Sequence, residues 1–446
     1  MNVVLRPVQR VPASETLPLL KTFLSQYTGI VRSVVEHVRA PDEPTYVSYA
    51  GAMAQGAHVI GQSMAEFTTG MHDDRDCALA AVLAEAVERY SVTYIPRDRL
   101  VLATVDELEG PTPPPERFAL FHPSQYAAEA FPFVPFTATT RIHWIRGFAV
   151  PSGDAVSLPA QLVFLLANVH ALDEQMIGYP TSSGVACGAT REEAILRGLL
   201  ELVERDAFMI VWNNRLSLPT LDSGGDPRLT PIDARFAAAG LRYSGIDLSG
   251  FFGIPTVLGV VHGTRGELGA LGVGAASAVT IQDAYHKALT EAFSVRTHVR
   301  DAVYENPGLI PNSPDAVNSF DDHIFFYADE EHAAFAEFLD SSSVRRRTTD
   351  VPPLPGDNLK EQIETVVARL AKRDVSAYAV DVTSPDVEST GLVVMRVICP
   401  ELCPLDVVDR ARFLGGERLY RAAFEAGLTL APLDITDLNP YPHPFP

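Results

Sequence analysis

The most restrictive feature of the sequence is a long apolar segment that carries charged residues within it. Between Ala194 and Trp212 a helix would be apolar on nearly every side, yet it also contains Glu201, Glu204 and Arg205. A helix that is apolar all round is buried in the protein interior. Buried carboxylates cost several kcal/mol each unless a partner compensates them. The chain must therefore fold around a helix whose carboxylates are neutralised by something else.

The same charged spacing occurs earlier in the chain. Glu85, Glu88 and Arg89 repeat the E-x-x-E-R pattern of residues 201–205. At positions i, i+3 and i+4 the three side chains share one helix face. Such a pattern alone usually forms surface ion pairs worth about 0.3–0.5 kcal/mol. Within apolar helices the pattern favours the binding of divalent cations, because Mg²⁺ prefers carboxylate oxygens and bridges to phosphates. Arginine also binds phosphates, through its planar guanidinium group.

A third predicted helix adds Lys287 and Glu291 at i, i+4, followed by Arg296. Alone this is a weak signal that many surface helices share. Together the three helices predict a polyphosphate–magnesium site lined by glutamates. The usual nucleotide motifs are absent from the sequence. There is no G-x-x-x-x-G-K-[ST] loop, and the segment 272–277 lacks the third glycine of a dinucleotide fingerprint.

Charge and composition exclude several classes of protein. The formal net charge of −21 argues against nucleic-acid and anionic-membrane partners, which select clustered lysine and arginine. The 446 residues, 47% of them hydrophobic, suffice for a large core. The four cysteines form no C-x-x-C pair, so neither a zinc site nor a disulfide framework is expected. Without a signal-peptide pattern or a long apolar span, the sequence predicts a soluble, cytoplasmic protein.

Hydrophobic periodicity predicts an irregular mixture of helices and strands, which favours an α+β fold over a doubly wound sheet. Helices are expected at about 76–92, 190–212, 281–300 and 358–373, strands at 254–262, 270–276, 376–382 and 391–398, and loops at 106–116 and 344–357. The whole of 1–446 is interpreted as one catalytic domain. Residues 1–60 form a strand-rich entry, and 439–446 form a proline-rich tail.

Two of the helix starts carry recognisable caps. Asp73, Asp74 and Asp76 lie where carboxylates suit the positive end of a helix dipole. Thr190 and Glu193 fit a capping box at the start of the long apolar helix.

Five segments of the sequence resemble the YcaO-domain family. The specific central signature is SSGVACGATREEAILRGLLELVERDAF. The segments that carry the resemblance are 182–208 for that signature, 78–90 with AEAVERY, 288–296 with ALTEAFSVR, 391–405 with GLVVMRVICPELCPL, and 413–420 with FLGGERLY. The resemblance covers most of the chain from about residue 28 onward.

This resemblance implies the YcaO fold, with ATP bound through Mg²⁺ ions that glutamates hold in place of a P-loop. The implied metal ligands are Glu85, Glu88, Glu201 and Glu204. The residues implied to contact phosphates or pair with those glutamates are Arg89, Arg205 and Lys287, and those implied to complete the nucleotide site are Glu193, Glu291 and, more weakly, Arg296. The chain departs from the family at Ala81, where serine is usual, and at Gly70-Met71-His72, where Gly-Lys-Gly is frequent.

The sequence ends in a P-x-P-x-P pattern at Pro442, Pro444 and Pro446. It is similar to the terminal motif of azoline-forming YcaO proteins, in which the tail projects into the active site. Polyproline II geometry is stiff enough to hold a terminal carboxylate in a fixed place. The resemblance therefore implies that the Pro446 carboxylate acts as general base. His170 and His443 are interpreted as structural, hydrogen-bonded residues.

The function implied by the resemblance is ATP-dependent cyclodehydration of Cys, Ser or Thr in a ribosomal precursor peptide, as in the biosynthesis of azole-containing bacteriocins and antibiotics. Expected partners are the precursor, a leader-binding protein resembling ubiquitin-activating enzymes, and a flavin-dependent azoline dehydrogenase, within a homodimer or larger complex. Two alternatives stay open. One is thioamide or amidine formation by the same family. The other is a non-catalytic docking scaffold, which Ala81 keeps in consideration.

Overall fold

The protein is described by a computed structural model that covers residues 3–41, 43–56, 65–165 and 172–446. His170 lies outside the described residues. In these residues the α-helices of six or more residues are α1 (Ala13–Leu20), α2 (Arg75–Thr93), α3 (Arg191–Asn213), α4 (Thr230–Ala238), α5 (Ile281–Glu305), α6 (Phe320–Phe325), α7 (Leu359–Ala371) and α8 (Glu417–Glu425). Short helices of four residues are Pro123–Tyr126, Ala160–Val163, Glu330–Ala333 and Pro385–Glu388.

Within the described residues the strands form three sheets. The strands are β1 (Val31–Glu36), β2 (Val47–Met53), β3 (Phe67–His72), β4 (Val101–Ala103), β5 (Ile142–Ala149), β6 (Ala155–Pro159), β7 (Val185–Gly188), β8 (Thr220–Asp222), β9 (Arg242–Asp247), β10 (Thr256–His262), β11 (Leu271–Ser277), β12 (Arg345–Arg347), β13 (Tyr378–Asp381) and β14 (Val393–Ile398). This mixture of mainly antiparallel sheets and helices confirms the predicted α+β class.

The chain packs as two compact units, each built from separate stretches of sequence. The first unit contains residues 1–38, 46–202 and 355–401, and the second contains 39–45, 203–354 and 402–446. Helix α3 begins in the first unit and ends in the second. The single catalytic domain expected from the sequence stays a prediction.

In the first unit, helix α2 packs closely on the sheet β1-β2-β3. Glycine permits this approach. A Cβ atom on Gly70 would lie 2.6 Å from the Ala78 carbonyl oxygen, and one on Gly51 would lie 2.7 Å from Val82. The second sheet of this unit has the order β4-β5-β13-β14-β7, with β6 beside β5. Because α2 also contacts β7 and β14, its glutamates lie near both sheets.

In the second unit, α5 lies across β10 and β11 of a five-stranded sheet ordered β11-β10-β9-β8-β12. The strands β10 and β11 form a seven-residue antiparallel ladder from Thr256↔Ser277 to His262↔Leu271. All seven residues of β11 are buried. Strand β11 therefore has one paired edge and one edge open to side chains from the helices.

The structure confirms the predicted helices near 76–92, 190–212, 281–300 and 358–373, although α5 continues to Glu305. Two predictions were wrong in part, although β1 and β2 do lie in the strand-rich region 1–60 and most of 344–357 forms no strand. Helix α1 lies in the region predicted as strands and turns, where Leu17 and Leu20, three residues apart, are buried. Strand β12 lies in the predicted exposed loop, because Arg345–Arg347 pairs in parallel with β8. In the described part of the chain no helix is long and apolar enough to span a membrane.

Candidate active site

The first glutamate of the repeated pattern, Glu85, bonds to the neighbouring sheet. Helix α2 begins after Asp74, whose carboxylate accepts the Cys77 N–H at 2.9 Å, in agreement with the predicted acidic cap. About three turns further along this helix, Glu85 Oε2 accepts the Thr69 N–H at 3.1 Å, and its Oε1 lies 3.4 Å from Arg89 Nη2. Although 32% of the side chain is exposed, burial is the main cause that raises the pKa of Glu85.

Glu88 is the most strongly perturbed carboxylate of this group. Its Oε1 accepts the backbone N–H of Cys187 on β7 at 2.7 Å. The pKa of Glu88 is raised to about 8, mainly by burial and also by the nearby Glu201 and Glu85 carboxylates, while the Cys187 N–H and the Arg197 charge oppose the shift. The Glu201 and Glu85 carboxylates are thus close enough to disfavour the ionised form of Glu88. A bound cation would relieve that repulsion.

Glu201 lies beside a buried arginine that the sequence reasoning missed. Its Oε2 accepts the Gly184 N–H at 3.2 Å. Arg396, 6% exposed on β14, donates from its two Nη atoms to the carbonyls of Thr181 at 2.7 Å and Leu162 at 2.9 Å. Burial lowers the pKa of Arg396 to about 10, and the Glu201 charge opposes this shift. The available signal was an arginine inside the otherwise apolar strand VVMRVI.

Glu193 forms part of the cap at the start of α3. Thr190 Oγ1 accepts the Glu193 N–H at 3.1 Å, which is half of the predicted capping box. The Glu193 carboxylate accepts the Ala189 N–H at 3.2 Å rather than that of Thr190. It also pairs with Arg197 at 2.7 Å and with Arg10 at 3.7 Å, and its side chain is 3% exposed.

In the second unit, two glutamates bond to the open edge of β11. Glu204 Oε2 accepts the Ser277 N–H at 3.2 Å, and Glu291 Oε2 accepts the Ala275 N–H at 3.0 Å. Alternate residues of an antiparallel edge strand direct their N–H groups away from the ladder, which explains this spacing. Arg205 Nε lies 3.3 Å from Glu204 Oε1. The structure therefore brings Glu204, Arg205 and Glu291 to one strand, β11, and the helices packed beside it.

The other two predicted site residues on α5, Lys287 and Arg296, differ in their exposure. Lys287 is exposed on the helix. Arg296 is 2% exposed and pairs with Glu43 at 3.4 Å and Glu267 at 3.6 Å. These three residues, with Arg300, help to line a cavity of about 400 Å³. Burial lowers the pKa of Arg296, and the nearby Arg300 charge adds to this shift. Arg296, on the second half of α5, is thus paired with carboxylates outside that helix, Glu43 and Glu267.

The proline-rich tail is packed into the second unit. Residues 442–445 are buried, and Phe445 is fully inaccessible. The Phe445 ring lies 4.7 Å from that of Phe208, and the Arg205 guanidinium lies 4.2 Å over it. Arg205 Nη1 also donates to Pro446 O at 3.3 Å. The end of the tail therefore shares Arg205 with Glu204.

The carboxylates described above are suited to divalent cations that are also coordinated by a polyphosphate. In the part of the chain that the structure describes, no group of three or more His, Cys, Asp or Glu side chains is arranged to hold a metal by itself. Magnesium in nucleotide sites usually takes one or two carboxylates, with phosphates and water as the other ligands. Burial raises the pKa values of both Glu85 and Glu88, and an added cation would stabilise the ionised forms of these carboxylates.

The fold is a mixed α+β fold with glutamates on long helices, in a sequence that contains no P-loop motif. The model of the family described as YcaO cyclodehydratase, ATP- and Mg²⁺-binding, matches residues 69–403. The chain belongs to this YcaO family. The predicted cofactors, ATP and Mg²⁺, are those of the family.

Two curated relatives carry no assigned activity. An uncharacterized protein of Methanothermobacter thermautotrophicus is 27% identical over 259 residues, which cover 57% of this chain and 62% of that protein. An uncharacterized protein in the tfuA 3′ region of Rhizobium leguminosarum bv. trifolii is 33% identical over 195 residues, covering 42% and 43% respectively. The chain thus spans less than two thirds of the length of either relative.

Solved structures share the fold over 90% to 100% of the chain. A heterocyclase in complex with substrate and cofactor has a TM-score of 0.82 and 25% identity, covering 100% of this chain and 59% of that chain. The heterocyclase TruD has a TM-score of 0.73 and 22% identity, with coverage of 100% and 56%. YcaO from Methanopyrus kandleri, bound with AMPPCP and Mg²⁺, has a TM-score of 0.63 and 17% identity, with coverage of 90% and 95%.

Proposed function

We propose that this chain is an ATP-dependent cyclodehydratase that converts Cys, Ser or Thr residues of a ribosomally made precursor peptide into thiazoline or oxazoline rings. The observation that carries this proposal is the buried tail, whose Pro446 O atom accepts a hydrogen bond from Arg205 beside Glu204. The 25% identical heterocyclase, solved with substrate and cofactor, supports this choice among the chemistries of the family.

The carboxylates assigned to the cations are Glu85, Glu88, Glu201 and Glu204. Arg89 and Arg205 would contact phosphate oxygens, and the further nucleotide contacts proposed are Glu193, Lys287, Glu291 and Arg296. When bound, Mg·ATP supplies the phosphoryl group that turns the former amide oxygen into a leaving group, with release of ADP and phosphate. The protein's contribution to phosphoryl transfer is positioning and charge neutralisation, and a fixed set of carboxylates and guanidinium groups provides both.

The general base in this proposal is the carboxylate of Pro446. It takes the proton from the substrate thiol or hydroxyl as that group attacks the preceding amide carbon. Pro442 and Pro444 restrict the backbone dihedrals of the tail, and the Arg205 guanidinium holds its end by a charge-assisted hydrogen bond. The assignment requires a free carboxylate on Pro446, which intact-mass measurement of the purified protein verifies first.

The partners proposed are the precursor peptide, a leader-binding protein resembling ubiquitin-activating enzymes, and a flavin-dependent azoline dehydrogenase. The E. coli microcin synthetase McbBCD, solved with pro-MccB17 bound, shows the same fold in an assembly with other chains. The matched heterocyclases are also much longer than this chain. Both facts support a reaction that needs more protein than this chain alone.

Reconstitution tests the proposal directly. The chain, its partner, the precursor and Mg·ATP should yield peptide that has lost one water per ring in mass spectrometry, with one ADP formed per ring. Removal of Pro446 should slow ring formation by about 10²-fold or more, the contribution of a general base, while leaving nucleotide binding intact. If the shortened protein still modifies the peptide with ATP at the full rate, thioamide or amidine formation would be favoured. Absence of ATP turnover under all conditions would favour a docking scaffold.

A Glu204→Gln substitution should weaken Mg·ATP binding by at least about tenfold, because it removes a buried charge assigned to the cation. Isothermal titration with AMPPCP and Mg²⁺ measures this loss. Glu425→Gln is the matched control, since it makes the same change on a side chain 41% exposed in the same unit. Equal affinities of the two variants would contradict the assignment of Glu204.

A further inference from the structure

The tail is held by a series of aromatic side chains that donate to consecutive carbonyl groups. The Tyr441 carbonyl accepts from Trp212 Nε1 at 3.0 Å, and the Pro442 carbonyl accepts from the Tyr327 hydroxyl at 2.5 Å. The His443 carbonyl lies 3.0 Å from Nδ1 of His323. Because proline has no N–H, the tail offers mainly carbonyl acceptors to its surroundings. Donors on the body of the second unit must therefore set the position of the tail.

The two histidines at the end of this series are stacked on each other. The rings of His323 and His443 have centroids 4.0 Å apart and planes 16° apart, and each residue is 1% exposed. The Phe445 N–H donates to His443 Nδ1 at 3.2 Å, so the proton of this ring is on Nε2. That Nε2–H donates to the Asp406 carbonyl at 2.9 Å. The hydrogen-bonding capacity of the neutral His443 ring is thereby fully used.

His323 is in a different situation, because carbonyl oxygens face both of its ring nitrogens. Nδ1 lies 3.0 Å from the His443 carbonyl, and Nε2 lies 3.2 Å from the Val407 carbonyl. Burial lowers the pKa of His323 to about 4, so near neutral pH the ring has one N–H. We assign this proton to Nδ1, which makes the shorter contact. In this tautomer His323 donates to the tail.

We infer that His323 is a positioning residue that fixes the register of the tail, through its Nδ1–H bond to the His443 carbonyl and its stacking on the His443 ring. Pro446 lies three positions after His443 in the chain. A displacement of the tail by one residue moves its end by about 3 Å in polyproline II geometry. Such a movement would break the bond between Arg205 and Pro446 O. The catalytic consequence of this inference rests on the proposed function, whereas the structural consequence does not.

Controlled digestion with carboxypeptidase Y tests the structural part without any assay of activity. His323→Phe keeps a stacking ring but has no N–H, while His323→Asn has an amide N–H near the place of Nδ1 but no ring. His298→Phe is the control, because His298 is exposed in the same unit and its ring lies 5.7 Å from that of Phe325. Mass spectrometry follows the loss of Pro446 and Phe445, and circular dichroism verifies that each variant is folded.

The wild type and His298→Phe should release these residues slowly. His323→Phe should release them about tenfold faster, as expected from the loss of a buried hydrogen bond, and His323→Asn should be intermediate. Release from folded His323→Phe at the wild-type rate would overturn the inference. If the phenylalanine variant does not fold, the asparagine variant decides. Release faster than that of the wild type supports the inference. Release at the wild-type rate overturns the part assigned to ring stacking and shows that hydrogen-bond donation suffices.

Kinetics with the precursor peptide test the catalytic part. His323→Phe should lower kcat and leave the KM for ATP unchanged, because the residue acts only through the tail. In a protein that lacks Pro446, the same substitution should have no additional effect on single-turnover rates. An equal loss in both backgrounds would show that His323 serves the fold in general. If no ring forms with any variant, the proposed function fails, and the digestion result still decides whether His323 holds the tail.

Discussion

Glu88 shows how a single carboxylate links the site to the stability of the protein. Its pKa is raised from 4.5 to about 8, first by burial and then by the Glu201 and Glu85 charges. Between these pH values the folded protein binds more protons than the unfolded chain. The free energy of unfolding therefore falls as the pH rises through this range, by at most about 1.4 kcal/mol per pH unit. The unliganded protein is destabilised by the ionised form of this residue.

Glu88→Gln should remove this pH dependence. Glutamine keeps an oxygen that accepts the Cys187 N–H but cannot ionise. Urea unfolding without Mg²⁺ or nucleotide should show similar stabilities for variant and wild type at pH 5, and a more stable variant at pH 8. Glu364→Gln, on a side chain 43% exposed in the same unit, should have no such effect. A variant that is less stable than the wild type at pH 8 would contradict the assigned burial of this charge.

At the residue scale, the sequence predicted the carboxylates but not their partners. Glu85, Glu88, Glu201 and Glu204 could be singled out because helical spacing is local and apolar neighbours indicate burial, and their role as metal ligands stays a prediction. His323 and Arg396 were missed because their contacts depend on tertiary structure. The nitrogen atoms of His323 meet carbonyls 84 and 120 positions away in the chain. No local pattern contains that information.

The packing of α5 on β11 depends on glycine. A Cβ atom on Gly274 would lie 2.5 Å from the Ala292 backbone nitrogen and 2.8 Å from the Ala288 carbonyl oxygen. Backbone atoms of a central helix cannot move aside without shifting the helix itself. The segment 272–277, which fails as a dinucleotide fingerprint, is therefore explained by close helix–strand packing.

Gly274→Ala should destabilise the protein by about 2–3 kcal/mol, since the added methyl group overpacks the contact between helix and strand. Gly250→Ala is the control, because a Cβ atom there would meet nothing within 4 Å. Denaturant unfolding of both variants measures the difference. Equal stabilities would show that α5 can move away from the strand at little cost.

Elements with strong local signals were predicted well, and elements without them were missed. Helix α2 has both an acidic cap and an apolar face. Helix α1 has eight residues with Pro18 inside it, so its two buried leucines give little periodic signal. Strand β12 consists of three arginines and exists because β8 offers a free edge. Its pairing is decided by the rest of the sheet and not by its own residues.

At the scale of the whole molecule, the division into two units could not be predicted. The connection 39–45 belongs to the second unit, although the strands on either side of it belong to the first. Its Glu43 pairs with Arg296 and Arg300 from α5. Sequence patterns assign a segment to a helix or a strand, but they do not assign it to a packing unit when its contacts are more than 200 positions away.

The net charge of −21 should make the stability of the protein depend on salt. Repulsion among like charges destabilises a compact state, and ions screen it with a Debye length of about 8 Å at 0.15 M. The Tm at pH 7 should rise by several degrees between about 20 and about 200 mM NaCl, because the added salt screens the repulsion more strongly. KCl should act equally, since the effect is not ion-specific. A falling Tm would show that attractive surface ion pairs dominate.

The burial of the tail has a practical consequence for work with this protein. Residues 442–445 are enclosed by the second unit, and Pro446 O is held by Arg205. A fluorescent protein or purification handle fused after Pro446 would turn a carboxylate at this position into a peptide bond and would add chain beside Arg205, which holds Pro446 O. Val4, which is 75% exposed, marks the end of the chain where such a fusion leaves the tail undisturbed.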